Sequence, residues 1–162
     1  MNPIDEAVEL LSEDDSAPSL DINGLFQDIT SNLKSLGLYV SRPRSRNHSW
    51  GVEYDVFASN KEDAENYIGI TPNEEGETGV TITVYHNTST DEIKFQFYAI
   101  TSSEPGMGSK MVDAVMSAIE PYSDSLLTDS SGKGTISVHH DWSGGFWDKI
   151  QSRYSQYTWN LS

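Results

Sequence analysis

Cysteine is absent from all 162 residues. Disulfides, thiolate metal sites and cysteine nucleophiles are excluded with it. Basic residues are scarce: ten Lys and Arg stand against 25 Asp and Glu, a formal net charge of −15. Without a cationic excess the chain has little with which to displace counterions from a phosphate backbone, so no nucleic-acid partner is expected. Long apolar runs are missing as well, and nothing approaches a membrane span, so no membrane partner is expected. The opening residues Met1-Asn2-Pro3-Ile4-Asp5-Glu6 are acidic, whereas a secretion signal begins basic and then turns apolar. No Gly-x-Ser-x-Gly elbow and no Walker loop occur. A soluble, cytoplasmic protein is the expectation.

Aromatic residues are plentiful, with four Trp and eight Tyr. A chain of this length and composition can bury a core without staples, and one domain is expected. Residues 1–20 read as an acidic N-terminal arm. Asp5, Glu6, Glu9, Glu13, Asp14 and Asp15 crowd together, with Ile4, Val8 and Leu11 at helical spacing. Such a segment is marginal alone and needs a surface, its own or a partner's. Residues 21–162 form the domain.

Within the domain, Asp21 is placed to cap a helix carrying Ile22, Leu25, Phe26, Ile29, Leu33 and Leu36 on one face. Strands are expected over 38–42, 50–58, 67–71, 79–86, 92–101, 134–140 and 157–161, and helices over 61–66, 107–120 and 144–153. Residues 42–47 read as a basic turn. Its Arg42, Arg44 and Arg46 are the one basic island on an acidic chain. A solvated turn is the plainer reading; a dock for a phosphate or an acidic neighbour, including the arm of another copy, is the sharper one. The whole is mixed α/β: a central mixed, mostly antiparallel sheet flanked by helices, expected on both faces.

The run Ser102-Ser103-Glu104-Pro105-Gly106-Met107-Gly108-Ser109-Lys110 carries the clearest chemical signal. It joins a strand to a helix through paired glycines. The first amides of a helix lack internal partners and favour negative charge, and glycine admits close approach of a ligand. Ser103, Gly106, Met107, Gly108, Ser109 and Lys110 are therefore the candidate anion-binding residues. A tight turn with no ligand is the competing reading.

From about Tyr67 onward, the element order and this loop resemble the GCN5-related N-acetyltransferases. Their signature Gln/Arg-x-x-Gly-x-Gly/Ala is similar to Ser103-Glu104-Pro105-Gly106-Met107-Gly108, with both glycines kept and Ser103 in the first position. The front of the chain departs from the family, a helix and a hairpin standing where one strand and two helices are usual. The resemblance implies acetyl-CoA as cofactor if the chain is active, its pyrophosphate held by the glycine loop. It also implies a forked strand pair for the pantetheine arm, a base for the amine and an acid for the leaving thiolate. Trp147 falls where that acid, a Tyr, usually lies, and an indole N–H does not serve. His140, Glu104 and Tyr154 are the remaining catalytic candidates. His139 and His140 point to opposite sides of a strand, so at most one can act. His139-His140-Asp141 is too compact to ligate one ion, and no metal is expected.

Loss of two key positions implies a catalytically degenerate member of that fold. Its expected role is a structural or interaction component of a larger assembly, possible homes including a virion, with protein partners met through the arm. An active N-acetyltransferase is the alternative. An acidic imitator of nucleic acid, suggested by charge alone, is the third reading.

Overall fold

The computed structural model describes residues 20–66, 76–139 and 145–162. Helix α1, Ile22–Lys34, starts where the Asp21 carboxylate accepts the Gly24 amide at 2.9 Å. Leu25, Phe26, Ile29 and Leu33 are buried along its one apolar stripe. Each such side chain contributes about 1.5–3 kcal/mol by leaving water. Gly37, at φ +89°, turns the chain into the sheet.

The sheet contains β1 (Tyr39–Val40), β2 (Arg44–His48), β3 (Gly51–Ser59), β4 (Gly79–Asn87), β5 (Glu92–Thr101), β6 (Thr135–Val138) and β7 (Thr158–Leu161). Its path runs β1-β3-β4-β5-β6-β7, with β2 also paired to β3. Pairing is antiparallel from β1 to β5, then parallel from β5 to β6 and from β6 to β7. Parallel neighbours need crossovers. Helix α2 (Met107–Ile119) lies in the first and α3 (Phe146–Arg153) in the second. Pro121 follows α2 and the chain continues as a 3-10 turn over Glu120–Ser125. The fold is thus mixed α/β with a mostly antiparallel mixed sheet, as the residue pattern implies.

Strand alternation sorts the two faces. Val56 stands opposite Ile82, and Ile82 opposite Phe97, which in turn aligns with Val138; all four are buried. The α-helices cover this side. Phe26 of α1 lies 5.2 Å from the Tyr54 ring, and Trp147 of α3 lies 5.1 Å from Phe97. Helix α2 contributes Met111, Val112, Val115, Met116 and Ile119 to the same core.

Three expectations need correction. Helices on both faces are not found: among the described residues the α-helices share one face. The opposite face carries Glu53, Asp55, Thr83, Tyr85, Lys94 and Gln96, whose alternation with Val and Phe gives it a polar character. The basic turn at 42–47 is largely a strand, because Arg44 to His48 pair residue by residue with Asp55 to Gly51. The strand expected over 38–42 shortens to Tyr39–Val40: Ser41 still donates its amide to the Phe57 carbonyl, but the Phe57 amide is taken by the Ser41 hydroxyl. The strand expected at 67–71 lies outside the described residues, as do residues 1–19 of the arm.

Candidate functional site

The glycine loop sits between β5, inside the sheet, and α2 on the covered face. Ser102 donates its hydroxyl to the Glu104 carbonyl at 2.7 Å. The Ser103 amide donates to the Thr78 hydroxyl at 3.0 Å, and the two hydroxyls are also 3.0 Å apart. Gly106 takes φ +81°, the left-handed region that suits glycine, and begins α2 with no side chain capping it. The Met107 amide is taken by the Glu104 carbonyl at 3.2 Å.

A pocket of about 510 Å³ opens at this loop. Ile100 and Thr101 of β5 form one wall, Gly106, Gly108 and Ser109 another, and Phe146 of α3 a third. The parallel ladder of β5 with β6 ends at Phe97 and Val138, followed by one bond from the His139 amide to the Phe97 carbonyl at 3.0 Å. Strand β5 runs on to Thr101 with β4 as its partner. Tyr98, at the irregularity opposite Thr81 and Ile82, turns outward and stacks on His139 at 4.7 Å.

The charge of the pocket opposes an anion. Glu104 lines it, Lys110 does not, and no Lys or Arg is found among its described lining residues. The helix terminus offers roughly half a positive charge, against a full negative one on Glu104. Gly108 has a plain packing reason: a Cβ there would lie 3.3 Å from the Phe146 ring.

Two of the catalytic candidates, Glu104 and Tyr154, fall among the described residues. Glu104 is exposed at the pocket rim. Tyr154 follows α3 and donates its hydroxyl to Asp113 of α2, which also pairs with Arg153. Burial, with the Asp113 carboxylate second, holds the Tyr154 phenol above its usual range, so it releases its proton less readily. His140 lies outside the described residues. Trp147 is 2% exposed and packed among Phe97, Phe146 and Trp159.

The Thr78–Ser103 tie and the packing of Phe146 over Gly108 each join residues distant in sequence, so spacing along the chain does not reveal them. The aromatic spacing of α3 was the only signal for the second. Among the described residues no group of three or more His, Asp or Glu is placed to hold a metal ion, and no helix is long and apolar enough to cross a membrane. In comparisons with protein-family models, curated proteins and solved structures, nothing matches this chain.

Proposed function

We propose that this chain has an acetyltransferase-like fold without the transfer reaction, and serves as a structural or interaction component of a larger assembly, a viral particle being one such home. The observation that carries this reading is the environment of Trp147. Trp147, which the resemblance puts at the place of the thiolate acid, is an indole sealed in the core. The nearby hydroxyl, Tyr154, is committed to Asp113. Leaving-group protonation then has no donor among these groups. Glu104, the one charged residue among the described lining, further disfavours a pyrophosphate.

A second reading, an acyl-CoA-dependent N-acetyltransferase, is supported by one specific feature. The described parallel ladder of β5 with β6 ends at Phe97, while β5 runs on to line the pocket with Ile100 and Thr101, beside the uncapped start of α2. In that reading Gly106 to Lys110 hold the pyrophosphate, Glu104 is the base and acetyl-CoA is the cofactor.

Free thiol released from acetyl-CoA in the presence of amines separates the two. The chain contributes no cysteine background to such an assay. The proposal expects no release above a protein-free control, and elution of the protein from its native source within a multi-protein particle. Sustained thiol release, or elution as a free monomer, contradicts it.

A further inference from the structure

The sheet face opposite the helices has an aromatic end. Trp50, 38% exposed, stacks on His48 at 4.8 Å and lies 6.0 Å from the Tyr85 ring. The Lys94 ammonium stands 5.6 Å over the same Tyr85 ring. Across the sheet, Arg46 pairs with Glu53 at 2.9 Å and reaches Asp55 at 3.7 Å. The two carboxylates lie low, 15% and 19% exposed, while Arg46 is 67% exposed. Arg46 is thus the most exposed of these three charges. Three of the four arginines in the chain fall at 42, 44 and 46, beside this platform.

The domain begins at the same end. The Leu20 amide donates to Asp91 at 2.7 Å, and Asp91 belongs to the turn between β4 and β5. Thr88 in that turn donates its amide to the Trp50 carbonyl at 3.3 Å. The described chain thus starts at Leu20, one turn away from the exposed indole. The 19 residues before it span roughly 30 Å if helical and about twice that if extended. Either reach covers several strands at about 4.8 Å spacing.

We propose that the occupant of this face is the chain's own residues 1–19, with Asp5, Glu6, Glu9, Glu13, Asp14 and Asp15 meeting Arg44, Arg46 and Lys94, and the Ile4, Val8 and Leu11 stripe laid on Trp50 and Tyr85. Charge complementarity and the point of attachment select this segment. The rest of a chain with net charge −15 offers it no comparable cationic ground. The inference holds whether or not the chain transfers acyl groups.

Because the chain lacks cysteine, Ser12→Cys provides a single labelling site in the full-length protein. A nitroxide there, read by nuclear magnetic resonance, is expected to remove half or more of the signal of the Trp50 indole and of the Arg44–His48 amides. Amides on the buried side of α2 keep their intensity. The loss is expected to recede at 1 M salt, where screening shortens to about 3 Å. Unbroadened signals on this face, or broadening confined to another surface, overturn the proposal. So does broadening that appears only when labelled and unlabelled chains are mixed, which assigns the contact to a second copy. Preserved chemical shifts of Ile82 and Val84 establish that the labelled chain is folded.

Discussion

Gly108 of α2 lies directly under Phe146 of α3, so close that a methyl group on it would stand 3.3 Å from the nearest ring carbon. The two glycines of the loop are therefore needed for different reasons. Gly106 is needed for its backbone, at φ +81°, with open space around its missing Cβ. Gly108 has helical backbone and is needed for its size.

Substitution separates these roles. Gly106→Ala places a side chain in the left-handed region and is expected to cost about 1–2 kcal/mol. Gly108→Ala gains about 1 kcal/mol of helix propensity but spends it displacing Phe146, so the net change is small. In a Phe146→Ala background the same Gly108→Ala change is expected to stabilise by roughly that amount. Urea denaturation of the four chains measures the cycle. An equal effect of Gly108→Ala in both backgrounds would refute the packing role.

Trp147 is expected to behave as a core residue. Trp147→Ala removes a ring buried among Phe97, Phe146 and Trp159 and should cost about 3–5 kcal/mol. Trp147→Tyr, which restores the residue type of the resembled enzymes, is expected to leave thiol release from acetyl-CoA at background. The new hydroxyl would enter the core rather than the pocket. Activity gained by that substitution would place position 147 at a reacting centre.

Tyr154 links α3 to α2 through Asp113. Its phenol is held above its usual range, chiefly by burial. A group whose pKa is raised on folding contributes stability that is present below its unfolded value, about 10, and is lost as pH climbs through the folded value. Tyr154→Phe is expected to cost about 0.5 kcal/mol at neutral pH, the low end for a hydrogen bond at a half-exposed partner. It should also blunt the loss of thermal stability above pH 10. An unchanged alkaline profile would argue against the link.

Acid acts through different groups. Asp91 is held below its usual range by the His86 side chain first and the Leu20 amide second. Asp129 is lowered by the Thr158 hydroxyl and then the Ser131 hydroxyl, with the Ser131 and Lys133 amides adding to it. Lowered carboxylates stabilise above their unfolded pKa, near 3.9, and that contribution is lost as pH falls toward the folded value. Asp91→Asn and Asp129→Asn are each expected to lower the melting temperature at pH 7 and to flatten its decline below pH 4. Parallel acid profiles for wild type and variants would refute this assignment.

Much of the architecture is legible in the residues alone, and the exceptions have physical causes. Periodicity marks α1, whose stripe from Ile22 to Leu33 packs on the core with Leu36 just beyond the helix, and α2, whose start coincides with the glycine pair. Strand β2 is not legible in the sequence, because all five of its residues are exposed and none is an aliphatic strand former. It exists because β3 offers hydrogen bonds across the short turn at Trp50. The one-sided cover was encoded in β3, where Val52, Tyr54 and Val56 alternate with Glu53 and Asp55. A strand between two helical layers would show apolar residues on both sides. At the candidate site the glycine loop stood out by its spacing, whereas the commitment of Tyr154 to Asp113 joins positions 41 apart and leaves no local trace.

Amide signals of Gly106, Met107, Gly108, Ser109 and Lys110 during an acetyl-CoA titration test the proposed lack of acyl-transfer function most directly. With Glu104 at the pocket and its described lining free of Lys and Arg, the account predicts no saturable shift up to millimolar ligand. Saturating shifts at these amides, together with thiol release when an amine is added, would contradict it.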